Sequence, residues 1–343
     1  MPIHPLLTAL LVMDALVLIL LTGAAASAFQ VVLHWDPGNT DRRQLRLRSR
    51  QETWSLATTL AAWVYLATGF LLIWSLTTVL PGLVPGAMCG TGVLEACRPY
   101  GFQMLAFRFL ATVGLMCWQR LETLNRSDPL AGLTSTNARI LLMLMPLVVL
   151  GALATYRALT GFDTGQPVDC CTALYDRIAA APGADRSTFR HPLLAPALFG
   201  VTTLLLIIMA IPRPQSFRTT TRQTARLVLS AIWLVTAAVT LVRHLAPYHY
   251  EVLHHYCPWC LFLPEHDGIG FPLLFFWGLV AVEAPVQWAL ARARTALPER
   301  LPACTTLMRG SRRRLLAGLL GFMLLAVGPA LWWRWQFGLW IDG

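Results

Sequence analysis

The sequence predicts an all-α integral membrane protein with eight transmembrane helices and both termini on the outer, periplasmic side. Three observations predict it. Of the 343 residues, 56 % are apolar and 13 % are charged, against roughly 25 % charged in an average soluble domain, and mean hydropathy is +0.57. Weakly charged segments of about 20 residues recur along the chain, each long enough at about 1.5 Å per residue to cross a hydrocarbon core about 30 Å thick. Arginine then alternates from loop to loop as positive-inside topology requires.

Span one, about 5–33, contains Asp14 and ends in Ala24-Ala25-Ala26-Ser27-Ala28, a string like a signal-peptidase site. Positive charge follows its apolar core instead of preceding it, so the segment is read as a retained helix. Arg42, Arg43, Arg46, Arg48 and Arg50 form the first inner loop. Span two is about 55–80, and span three, about 101–122, carries Arg108; Arg120, Arg126 and Arg139 mark the second inner loop before span four, about 138–160. Arg213, Arg218 and Arg222 lie between spans five and six, about 192–212 and 226–247, and a run from Arg292 to Arg314 lies between spans seven and eight, about 270–291 and 315–338. Glu283 sits in span seven, and Trp332, Trp333, Trp335 and Trp340 read as an aromatic belt at the outer interface. The whole chain, 1–343, is one polytopic domain with no loop long enough for a soluble catalytic domain. Chemistry is therefore confined to the bilayer or its outer surface.

All 27 basic residues are arginine, which fits a GC-rich bacterial genome and a bacterial inner membrane. The net charge of +10 is accounted for by the inner loops, so membrane lipid is the expected partner and nucleic acid is not. Walker A and G-x-S-x-G sequences are absent, as are repeated broken helices of the transporter kind.

Six of the eight cysteines fall on the outer side, in three close pairs: Cys89 with Cys97, Cys170 with Cys171, Cys257 with Cys260. An oxidising compartment makes disulfide chemistry the leading reading. His254-His255-Tyr256-Cys257-Pro258-Trp259-Cys260 precedes span seven; at a helix start the first sulfur lies near unpaired backbone N–H groups, which favour thiolate. Cys257 is then the reactive thiol, with Cys260 one turn further in as the more buried partner. Leu261 follows where a c-type haem site needs His. Cys89 and Cys97 close a short loop, as a structural cross-link or as a shuttle. Cys170 and Cys171 form a vicinal pair of the easily reduced kind, or each pairs elsewhere; six cysteines allow 15 connectivities.

Outer cysteines after one span, Cys-x-x-Cys opening a later one, and no soluble domain resemble the vitamin K epoxide reductase-like proteins and the quinone-linked disulfide-generating membrane proteins. Residues 138–293 follow the order of that family's four-helix core, with Tyr256-Cys257-Pro258-Trp259-Cys260-Leu261 opening a helix and His191-Pro192 and Phe199-Gly200 similar to its second helix. Residues 1–137 and 294–343 would be additional spans. The resemblance implies a quinone beside Cys257 and Cys260, with Trp259, Arg98 and Arg108 as candidate contacts, and a loop pair exchanging disulfides with a periplasmic thioredoxin-like or thiol protein.

Seven of the eight histidines fall outside, so His254 and His255 with neighbouring cysteines give an alternative reading as a copper-handling protein. A third reading is a non-catalytic subunit of a larger membrane complex with structural disulfides. Charges inside spans are costly, so Asp14 and Arg108, each about 10 to 13 Å deep by the helical rise, are expected to face the interior and pair.

Overall fold

The computed structural model describes residues 4–36, 38–39, 41–127, 133–161, 168, 194–211, 219–252, 255–296 and 301–341. Among these the secondary structure is helical, with no strand. The helices are α1 (Pro5–His34), α2 (Arg42–Trp74), α3 (Gly90–Ala96), α4 (Tyr100–Arg126), α5 (Thr134–Thr160), α6 (Leu194–Ala210), α7 (Thr219–Thr240), α8 (Gly270–Ala296) and α9 (Leu301–Phe337). Seven of them, all but α3 and α6, are long and apolar enough to cross a membrane. At 17 residues α6 is a shorter apolar helix.

Two arginine-rich stretches expected as loops are helical. Arg42–Arg50 forms the first turns of α2, and Arg309–Arg314 lies within α9. Arg, Gln and Leu are good helix formers, so both helices run past the apolar segment. The C-terminal ends of two helices depart from regularity instead: α2 passes into a π-helical turn, Ser75–Val79, and α7 into another, Leu241–Leu245, followed by a short helix, Ala246–Tyr250.

The chain divides into two compact units. The first comprises Met1–Val84, Val93–Gln166 and Glu299–Cys304, and α1, α2, α4 and α5 pack in it as a bundle. Its interior is layered. Leu10, Val17, Leu21 and Leu72 are fully buried, and between apolar layers lies the expected ion pair, Arg108 Nη2 donating to Asp14 Oδ2. Both side chains are about 4 % exposed or little more. Arg108 Nη1 donates to Thr68 Oγ1 at 2.7 Å, Thr155 Oγ1 is 3.3 Å from Nη2, and the guanidinium carbon lies 4.8 Å from the Tyr65 ring centroid. Gly151 leaves room for that ring, since a Cβ there would be 2.8 Å from the Tyr65 hydroxyl. A second polar layer joins Ser55, Glu122, Arg126 and Asn137: Asn137 Nδ2 donates to Glu122 Oε2 at 2.8 Å and Arg126 Nη2 to Ser55 Oγ at 2.6 Å.

The second unit comprises Pro85–Gly92, Pro167–Pro298 and Thr305–Gly343. Its core is aromatic. Trp233 meets Phe322 edge-on at 5.2 Å and Phe199 at 6.0 Å, and its indole N–H donates to Thr203 Oγ1 at 2.8 Å. α9 approaches α8 through small residues, as membrane helices do: a Cβ on Gly321 would be 2.5 Å from the Phe276 ring. Glu283 is buried and accepts from Arg314 of α9.

Candidate functional site: a three-cysteine centre

The Cys-x-x-Cys lies in the second unit on the segment between Tyr250 and Gly270, which holds two short 3₁₀ turns, Cys260–Phe262 and Pro264–His266. It does not open α8, which starts ten residues beyond Cys260. Nor is Cys260 the deeper cysteine: Cys257 is 1 % exposed and Cys260 9 %. Tyr250 anchors the segment, its hydroxyl donating to the Cys257 carbonyl, while its ring meets His255 and His266 at 4.6 Å each.

Cys89, 168 residues earlier in the chain, completes the centre. Its Sγ is 3.4 Å from Cys257 Sγ, and the three sulfurs of Cys89, Cys257 and Cys260 all lie within 4.8 Å of one another. Two neighbours of Cys89 fix this approach. Gly90 has no side chain, and a Cβ there would fall 2.6 Å from the Trp259 indole, so that ring lies on the first turn of α3. Thr91 places its hydroxyl 3.5 Å from Cys257 Sγ.

Cys89 is disulfide-bonded, whereas Cys257 and Cys260 are thiols. A hydrogen bond from Cys260, with others from Thr91 and the backbone N–H groups of Trp259 and Cys260, outweighs the effect of burial and draws the Cys257 thiol down to about 6. Donors pointed at sulfur stabilise the thiolate, which is the nucleophile in disulfide exchange. His255 beside it is held below its usual value, first by burial and then by His266.

The expected Cys89–Cys97 cross-link is not made, because Cys97 is a thiol. The reason is local: α3 separates the two cysteines by about 12 Å of helical rise, more than a disulfide spans. Cys97 is buried, and burial pushes its thiol up to about 11. Cys170, Cys171 and His254 lie outside the described residues. His255 is not in the sulfur cluster, which is the one metal-competent group among the described residues.

Both arginines expected to contact a quinone belong to the first unit. Arg108 is engaged with Asp14 inside the first unit, and Arg98 is an exposed side chain 2.7 Å from Glu95. Trp259 lies in the second unit, half-buried, with Phe262 at 5.9 Å. Sequence reading missed Thr91 and Tyr250, whose roles depend on contacts 166 and 7 residues away. The chain matches no protein-family model, no curated protein and no solved structure.

Proposed function

We propose that this is a bacterial inner-membrane thiol–disulfide oxidoreductase, passing electrons from periplasmic thiols through its cysteines to a quinone. The single observation that carries the reading is a thiol drawn down to about 6 whose sulfur lies 3.4 Å from a disulfide-bonded sulfur. Thiolate next to disulfide is the reactant pair of thiol exchange.

In the forward direction a periplasmic protein dithiol reduces the Cys89 disulfide. The Cys89 thiolate attacks Cys257 of an oxidised Cys257–Cys260 pair, the Cys89–Cys257 bond forms, and Cys260 leaves as thiolate. The original partner of Cys89 then attacks Cys89, restoring that disulfide and releasing Cys257. Oxidation of the dithiol releases two electrons and two protons, which a membrane quinone accepts as it becomes quinol. The Trp259 and Phe262 rings suit an aromatic acceptor; Arg98 and Arg108, engaged elsewhere, do not.

The membrane arrangement that goes with this reading has eight spans, α6 being the eighth, with the arginine-rich ends cytoplasmic and the cysteine centre and both termini periplasmic. A length of 17 residues lies at the short end of membrane-crossing helices.

The test is thiol trapping in native membranes with a mass-tagged maleimide across a dithiothreitol series. The expected result is a disulfide that opens under mild reduction, closes again on adding quinone, and is absent from both Cys257→Ser and Cys260→Ser. Disulfides that resist mild reduction and ignore quinone overturn the reading in favour of a structural subunit. The copper reading is favoured by one observation, three sulfurs within 4.8 Å. It predicts that reduced protein binds Cu(I) stoichiometrically and that the metal blocks alkylation of Cys257.

A further inference from the structure

The second unit contains a buried cation that has no counter-ion among the described residues. Arg226, two turns into α7, is 4 % exposed. Its Nη1 donates to Gln223 Oε1 at 2.9 Å and also to Gln287 Oε1, and its Nη2 donates to the Met209 carbonyl. All three acceptors are neutral, and Nε has none. The charges that act on Arg226 are two further guanidinium groups, Arg222 and Arg312, both repulsive. Among the described residues Glu283 is committed to Arg314.

Two neighbouring side chains also carry unmatched donors. Because Gln287 turns its oxygen toward Arg226, its Nε2 faces away, and that nitrogen is buried without an acceptor. Ser230, one turn further along the same face of α7, is buried with its hydroxyl equally unmatched. Arg222 donates to the carbonyls of Met209 and Ile211 at the end of α6, at 2.7 and 3.1 Å. A helix C-terminus offers roughly half a negative charge, which does not offset three guanidinium groups. Buried charges without partners are expensive, and buried donors without acceptors cost more than a formed bond returns.

We propose that Arg226 and Arg222 bind a phosphate oxyanion, and that its source is the headgroup of an anionic phospholipid at the arginine-rich end of the second unit. A phosphodiester supplies the missing charge and has oxygens enough to accept from both guanidinium groups at once. A lipid carries it at the depth where a helix meets the headgroup layer, and basic pockets between membrane helices are recognised sites for such headgroups.

The experiment uses full-length protein in neutral detergent, stripped of lipid and titrated with phosphatidylglycerol, diacylglycerol or inorganic phosphate. Bound lipid is counted by native mass spectrometry and the unfolding temperature is followed. Phosphatidylglycerol is expected to bind and raise the unfolding temperature, while diacylglycerol does neither. Arg226→Gln is expected to weaken phosphatidylglycerol at least about tenfold and abolish the shift; Arg222→Gln, which leaves the buried cation in place, weakens it severalfold and keeps the test alive if the first variant does not fold. A shift produced equally by inorganic phosphate supports the oxyanion site and overturns the lipid source. Phosphatidylglycerol binding equal to that of diacylglycerol, or unchanged in both variants, overturns the proposal.

Discussion

Among the described residues each unit of the molecule buries one arginine and holds a buried cysteine whose thiol is shifted, Cys97 in the first and Cys257 in the second, and treats them in opposite ways. In the first, Arg108 is neutralised by Asp14 and shared among Thr68, Thr155 and the Tyr65 ring, while burial holds Cys97 protonated. In the second, Arg226 faces neutral acceptors and other cations, while hydrogen-bond donors make Cys257 a thiolate near pH 7. Burial alone therefore says little about reactivity. What decides is whether the surroundings complete the charge, oppose it or leave it open.

The sharpest test of that contrast is alkylation. At pH 7 a thiol near 6 is about nine-tenths ionised and one near 11 about one part in ten thousand; the lower intrinsic nucleophilicity of the more acidic thiol returns roughly a hundredfold. With equal access, Cys257 should react about a hundred times faster than Cys97, measured by timed maleimide labelling and peptide mapping. The pH profiles should also differ: Cys257 slows about tenfold from pH 7 to pH 5, while Cys97 gains about tenfold per unit up to its high value. Their stability contributions run the same way. Lowering the Cys257 value favours folding at high pH and is lost as pH falls through about 6, whereas raising the Cys97 value withdraws stability as pH rises from 9 toward 11.

Next in size is the ion pair. Asp14→Leu leaves Arg108 buried and uncompensated and should cost about 3–5 kcal/mol in thermal unfolding, while the double variant Asp14→Leu/Arg108→Leu should recover most of it. Arg226→Leu removes a charge that has no counter-ion and should cost little, or stabilise, in lipid-free detergent. Equal losses at the two positions would erase the distinction between the units. Glu283→Gln should have a smaller effect, about 1 kcal/mol, because Arg314 is 36 % exposed and water screens the pair. Smallest for stability is Gly90→Ala, which must displace the Trp259 indole; here the readout is exchange at Cys257, expected to slow severalfold while the fold is retained.

Much of this was legible in the sequence. Apolar spans and the penalty for charge within them foretold a helical membrane protein and the Asp14–Arg108 pair, because both follow from composition at known depth. Cys-x-x-Cys marked one arm of the three-cysteine centre. Cys89 was assigned to its near neighbour Cys97 because spacing in the chain was the one guide, and the helix between them could not be seen. The span expected at about 226–247 starts on Arg226; α7 begins seven residues earlier, which carries that arginine inward. Sequence shows where a charge is costly, but the partner that offsets the cost is a tertiary fact.

The π-helical turn Leu241–Leu245 holds one more residue than an α-helical turn would, just before the short helix that carries Tyr250. Each residue advances a helix by about 100°, so that single surplus residue sets the direction in which Tyr250 points. Deleting one residue there would leave hydropathy and length almost untouched, yet swing the phenol away from the Cys257 carbonyl. The geometry of the three-cysteine centre is thus encoded partly in a count of residues, which makes this stretch more sensitive to insertion and deletion than to substitution.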